Sequence, residues 1–128
     1  MTIERIRPAG LSNGPTYTHV VKTTGTTVYI AGQTPVDENG QIVGKGDITA
    51  QTEQVMQNIG KALASVGAGY DKLVKTTVFI TDARYREAVG AVRNKYLAGH
   101  LPTSTLLVVA GLAQPEFLLE IEAIAVLD

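Results

Sequence analysis

The residues best suited to chemistry lie near the end of the chain. Glu120 and Glu122 fall two residues apart in the run Leu119-Glu120-Ile121-Glu122-Ala123-Ile124-Ala125. On a strand that spacing puts both carboxylates on one face, together with Leu118, Ile124 and Val126. A carboxylate among apolar side chains holds its proton more tightly than one in water, which suits a general acid or base. The plainer reading is an interface ion pair or a hydrogen-bonded glutamate. Ser104 sits between Thr103 and Thr105, with no His or Lys at an activating position, so a nucleophilic serine is not expected and a strand hydroxyl is. Gly32 lacks a Cβ and lets backbone approach a ligand, or else marks a strand-end bulge. Backbone groups at Leu106 offer a further handhold for a small ligand. His19 and His100 are far apart, and neither has an acidic or imidazole partner at ligand spacing, so no metal is expected. Lys75 reads as an exposed or salt-bridged strand lysine. The sequence cannot place the cations Arg5, Arg7 and Arg93.

Composition narrows the classes. A chain of 128 residues fits one domain, residues 1–128, with a core of useful size. It is 45% hydrophobic and 18% charged, which excludes disorder. A formal net charge of -1 and the lack of any Lys/Arg run argue against nucleic acid as a partner. There is no cysteine, hence no disulfide, thiolate nucleophile or thiolate metal site. The opening Met1-Thr2-Ile3-Glu4-Arg5-Ile6-Arg7-Pro8 has three charges and no apolar stretch, so no secretory signal is expected. No run approaches the ~20 apolar residues of a membrane span. A soluble, cytoplasmic protein is the expectation, with no membrane partner.

The elements that must position these residues can be read from periodicity. Tyr17 to Lys22 and Thr26 to Ile30, rich in Val, Thr and Tyr, predict two short strands joined at Gly25. Asn39-Gly40 predicts a turn and residues 41–46 a surface loop. Val55, Ile59, Ala62, Leu63 and Val66 make the apolar stripe of a helix over 49–66, capped by Asp47 or Thr49 and ended by Gly67. Leu73 to Ile80 is a strand with Val74, Thr76, Val78 and Ile80 on one face. Asp82 caps a second helix whose buried stripe is Tyr85, Ala88, Val89, Val92 and Tyr96, closed by Gly99. Thr103 to Ala110 and Phe117 to Val126 are the last strands. The order β-β-α-β-α-β-β predicts an α+β fold with two helices on one face of a mixed sheet. The last two strands are apolar on both faces, so the uncovered side is expected to meet another subunit.

Three segments together resemble the YjgF/RidA family, the reactive-intermediate (imine) deaminases: Ala31-Gly32-Gln33-Thr34-Pro35, Val74-Lys75-Thr76-Thr77-Val78-Phe79 and Glu120-Ile121-Glu122-Ala123-Ile124-Ala125. Gly14-Pro15 fits as well. The resemblance implies a chorismate-mutase-like fold and a homotrimer whose strands line a central barrel, with clefts between subunits. It implies hydrolysis of enamines and imines to a 2-keto acid and ammonia, without metal or organic cofactor. It assigns Glu120 to positioning the attacking water. It places Tyr17 in the cleft as the aromatic lining residue, with Thr16 the strict positional match. The family arginine that clamps the substrate carboxylate lies two residues after the strand's leading proline, and here Ser104 follows Pro102 at that distance. Gly90 stands where those deaminases carry asparagine, Ala31 where serine is usual, and the segment around Gly99 is shorter. The chain is thus similar to the branches that lack the arginine.

Three functions follow. The first is a cofactor-free imine or enamine hydrolase in an intersubunit cleft, with substrates that are neutral or anchored differently from simple 2-imino acids. The second is a homotrimer that binds a small metabolite without turnover. The third, ranked last on charge, is an endoribonuclease.

Overall fold

The chain forms β1 (Thr2–Ile6), β2 (Val20–Thr24), β3 (Thr26–Gln33), α1 (Ile48–Ala64), β4 (Leu73–Ile80), α2 (Arg86–Leu97), β5 (Thr103–Val108) and β6 (Leu119–Leu127). This computed structural model describes residues 2–128, and Met1 lies outside the described residues. Four strands make one mixed sheet in the order β3-β6-β4-β5, and β1 pairs with β2 in a separate antiparallel ladder. β6 is antiparallel to both β3 and β4, whereas β4 and β5 are parallel.

That topology explains where the helices go. β3 and β4 run the same way, and so do β4 and β5, so each pair needs a crossover. α1 supplies the first and α2 the second. Both crossovers step across the sheet in the same direction, and crossovers of one hand then fall on one face. The expected α+β architecture, two helices on one face of a mixed sheet, is what the chain adopts.

The core lies between that face and the helices. Val55, Met56, Ile59 and Leu63 of α1 are at most 1% exposed. They pack with Ile30, Val78, Ile80, Leu119, Ile121, Ala123 and Ala125 from the sheet and with Val89, Val92 and Leu97 from α2. Along β6 the inward residues alternate with Glu120, Glu122 and Ile124, which face the uncovered side.

Several local expectations need correction. β1 is an element beyond those expected: Thr2–Ile6 is short and charged, and its place depends on backbone pairing with β2. The strands flanking Gly25 do not pair with each other; β2 joins β1 and β3 joins β6. Gly25, at φ 131, bends the chain from one ladder into the next. The first of these strands begins at Val20, so Tyr17 lies in the preceding loop. α1 stops at Ala64, leaving Val66 42% exposed beyond it. Asp82 accepts a hydrogen bond from the Arg84 amide at 2.9 Å, but it caps a single 3-10 turn, and α2 starts at Arg86. The buried stripe of α2 holds Val89, Val92, Arg93 and Leu97, with Tyr85 and Tyr96 only partly buried. β5 ends at Val108 and is an edge strand; Leu106, Leu107 and Val108 are 39%, 40% and 53% exposed in the protomer. No helix of the described residues is long and apolar enough to cross a membrane.

One buried polar side chain fixes the start of β6. Gln51 is fully buried in α1; its Nε2 donates to the Glu116 carbonyl and its Oε1 accepts from the Leu118 amide, both at 2.9 Å. Gln51→Leu keeps the volume and leaves both backbone groups without partners. An unfolding free energy lower by about 1–3 kcal/mol is expected in urea titration. A second tie joins the helices. Glu53 of α1 accepts from Lys95 Nζ and, at 2.5 Å, from the Tyr96 hydroxyl of α2. The Lys95 hydrogen bond first, then that of Tyr96, holds the Glu53 carboxyl below its ordinary range. The stability it contributes is present above the unfolded carboxyl value and is lost as pH falls through the lowered folded value. The stability–pH curves of wild type and Glu53→Gln should therefore converge on acidification, as followed by urea titration from pH 6 downward.

Candidate functional site

Residues 12–19, between β1 and β2, form a loop held by four separate side chains. Arg7 donates to the Gly14 and Tyr17 carbonyls at 3.2 and 3.3 Å. His19 Nε2 lies 2.5 Å from the Ser12 carbonyl, and its ring meets Tyr17 edge-on with centroids 5.1 Å apart. Thr18 Oγ1 donates to the Leu101 carbonyl at 2.7 Å. Arg93, reaching across from α2, donates to the Thr16 carbonyl at 2.5 Å. Tyr17 lies so close over Gly14 that a Cβ at residue 14 would overlap its ring.

The loop, α2 and the β4–β5 edge enclose a cleft of about 660 Å³. Tyr17, Ser104 and Leu106 all line it, alongside Thr16, Val78, Arg86, Glu87 and Arg93. A chain of hydrogen bonds crosses its floor. Arg93 donates to Thr76 Oγ1 at 3.0 Å, and Thr76 Oγ1 donates to Ser104 Oγ at 3.1 Å. Register puts Thr76 beside Ser104 and Val78 beside Leu106, so all four share the helix-covered face.

Arg93 is 4% exposed, and no carboxylate pairs with it among the described residues. Its Nε is buried and has no hydrogen-bond partner. Burial lowers its pKa to about 10, which leaves it cationic at neutral pH. The sequence named Arg93 as a cation without a place. The signal that would have placed it is a charge inside the apolar stripe of α2, beside Val89 and Val92 at helical spacing.

Glu120 belongs to the other face. It pairs with Phe79 in the β4–β6 ladder, three residues from Thr76, so its side chain and that of Ser104 point to opposite sides of the sheet. Its carboxylate lies against Gly32, where a Cβ would overlap Oε2. Gly32 lies within the irregularity between Ile30 and Gln33 where β3 slips against β6. Glu120 has no side-chain hydrogen bond or ion pair within the described residues. A second hollow, about 420 Å³, opens on the same uncovered face and is lined by Tyr29, Lys75, Thr77, Glu122 and Ile124 among others. Glu122 is exposed there, and Lys75 Nζ donates to Thr105 Oγ1 at 3.5 Å.

The structure therefore brings Tyr17, Ser104 and Leu106 together, and separately brings Glu120 to Gly32. Within one protomer the two groups do not meet. His100 is exposed, and its amide donates to the Leu97 carbonyl at the end of α2. Arg5 donates to the Asp71 carbonyl at 3.0 Å, and neither residue lines the cleft. No three His, Cys, Asp or Glu side chains of the described residues come together as metal ligands.

A mixed four-stranded sheet with two helices on one face, a cleft at the parallel strand pair and a glutamate on the central strand define a small α+β domain of known type. Residues 9–127 match the family described as Endoribonuclease L-PSP, and the chain belongs to this family, YjgF/RidA. A RutC family protein of Pyrococcus abyssi is 37% identical over 113 residues, 88% of this chain and 86% of that protein. The 2-iminobutanoate/2-iminopropanoate deaminase of Mus musculus is 36% identical over 101 residues, 78% of this chain and 73% of the mouse protein. The crystal structure of YyfB, a Rid family protein of unknown function from Yersinia pestis, superimposes with a TM-score of 0.93 at 32% identity, covering 99% of this chain and all of that one.

The contact at Gly32 gives a test of local geometry. The atom in the way of a Cβ is the far end of a flexible side chain, so Gly32→Ala should displace the Glu120 carboxylate while changing stability by less than about 1 kcal/mol. A crystal structure of the variant beside its urea midpoint checks both halves of the expectation.

Proposed function

We propose that the protein is a cofactor-free hydrolase of small imines and enamines, and that it works as a homotrimer with its clefts between subunits. The observation that carries this reading is the division of the site residues between two faces of one sheet. Glu120 has no side-chain partner among the described residues on the uncovered face, and the Tyr17–Ser104–Leu106 cleft opens on the other. Tyr29, 78% exposed, and the half-exposed apolar residues of β5 mark surface that a second copy would cover. The Glu120-bearing face of one copy set against the cleft of the next completes a site that neither holds alone. Similarity to the mouse 2-iminobutanoate/2-iminopropanoate deaminase supports the reaction class.

Hydrolysis of an imine needs a proton on nitrogen and a hydroxyl on carbon. Glu120 accepts a proton from water as the oxygen adds to the C=N carbon. The proton is delivered to nitrogen, and the carbinolamine collapses to a carbonyl with release of ammonia. Neither electrons nor a cofactor are required. A carboxylate that can take up and return the proton is the one group the step demands.

The test is release of keto acid or carbonyl product from a panel of imines generated in situ, acidic and neutral, by wild type and Glu120→Gln. Acceleration by wild type with a 10²- to 10⁴-fold lower kcat in the variant, roughly the worth of a positioned acid–base group, is expected. Ligand binding without acceleration of any imine would instead mark a metabolite-binding protein. Sedimentation should give the mass of three chains; a monomer at micromolar concentration would leave the site incomplete and defeat the proposal.

A further inference from the structure

We infer that the cleft selects an uncharged imine or enamine with an apolar chain, and that Ser104 is the residue that selects it. Its hydroxyl donates to a neutral acceptor on the substrate, such as an amide or ketone carbonyl, and cannot offset the dehydration of a carboxylate. The inference deepens the imine-hydrolase reading and rests on it for the reaction, but the selecting hydroxyl lies within a single protomer.

Three observations point to it. First, the cleft holds no cation that is both buried and free. Arg93 is the only buried charged side chain among the described residues, at 4% exposed. Its terminal nitrogens donate to the Thr16 carbonyl and the Thr76 hydroxyl, and its Nε is buried without a partner. The guanidinium therefore holds the walls of the cleft together rather than a ligand. Arg86 and Glu87 also line the cleft, but both are exposed and they carry opposite charges, so water and salt screen what they offer. A carboxylate entering here gives up its water without a dry counter-ion to meet it, whereas an uncharged carbonyl gives up far less.

Second, the hydrogen-bond chain across the floor has one direction. Arginine cannot accept, so the chain runs outward from it: Thr76 Oγ1 accepts from Arg93 and donates to Ser104 Oγ. Ser104 keeps its own hydrogen, and no acceptor for it is present among the described residues. The free polar group at this point is one neutral donor. It matches one acceptor atom of an uncharged substrate.

Third, the remaining surface is apolar or negative. Val78 and Val89, 2% and 1% exposed, lie in the lining with Leu106 and the Tyr17 ring, and they suit a hydrocarbon chain. In the proposed assembly the neighbouring copy adds the Glu120 carboxylate to the same cleft. A like charge on the substrate would be repelled by it, with no guanidinium free to stand between them.

Binding of non-reacting carbonyl products tests the selection apart from turnover. Three ligands are titrated into the intact protein by calorimetry: 4-methyl-2-oxopentanamide, its acid 4-methyl-2-oxopentanoate, and pyruvamide, which keeps the amide but has only a methyl chain. Wild type should bind the longer amide roughly tenfold more tightly than either of the others, through uncompensated dehydration in the acid and lost apolar burial in pyruvamide. Ser104→Ala should weaken the longer amide by roughly 2- to 12-fold, the net worth of one neutral hydrogen bond, and change the acid less than about twofold. Ser104→Arg should reverse the order, with the acid bound more tightly than the amide; Ser104→Ala keeps the inference open to refutation if that larger side chain prevents folding. Equal or tighter binding of the acid by wild type, equal binding of the two amides, an unchanged amide affinity in Ser104→Ala, or no reversal in folded Ser104→Arg overturns the inference. Selective amide binding without hydrolysis of any imine would defeat the hydrolase reading and leave the selection standing. Hydrolysis of imines with no discrimination against the acid would do the reverse.

Discussion

Two helices cannot cover two faces of a sheet, and this limit organises the molecule. Both crossovers step the same way across the strands, so α1 and α2 share a face and all of the dense core lies there. The opposite face keeps Tyr29, Lys75, Glu120, Glu122 and Ile124 and receives no cover from its own chain. The alternation of a strand then distributes chemistry along with hydrophobicity. Along β4, residues an even number from Thr76 face the helices, and Lys75, Thr77 and Phe79, an odd number away, face the open side.

The core-side cleft shows how a polar group survives at the edge of that core. Arg93 occupies a position in α2 where its neighbours Val89 and Val92 are apolar and buried. It is tolerated because two oxygens, the Thr16 carbonyl and the Thr76 hydroxyl, meet it in fixed geometry. Those contacts join an N-terminal loop, a helix and a central strand through one side chain. Hydrogen bonds of this kind hold their elements more rigidly than apolar contacts, since each has a preferred distance and direction.

Much of the scaffold was legible in the sequence. The alternation of Leu73 to Ile80 marks that strand to its observed bounds, and an apolar stripe running about three turns marks nearly all of α1. What failed was pairing. Val20–Thr24 and Thr26–Gln33 look like a hairpin from composition, but strand partners are chosen by distant residues, and the sequence pattern says nothing about which edge is free. The site was legible in pieces. Glu120 and Ser104 were identified by the residues around them, yet which face each takes depends on register, which one slipped residue would reverse. In the sequence Arg93 is an unplaced cation, because the oxygens that hold it belong to Thr16 and Thr76, 77 and 17 residues away in the chain.

The position of β6 has a consequence for synthesis. It lies between β3 and β4, although it follows both in the chain. While a ribosome is still making the residues before 119, β3 and β4 have emerged with an empty lane between them, and the helices have no finished surface on which to settle. Local helices, the β1–β2 ladder and the β4–β5 pair need nothing from β6, but joining β3 to the rest of the sheet waits for that middle strand. Chains interrupted short of that point present two unpaired strand edges and a bare apolar floor, the combination that nascent-chain chaperones recognise.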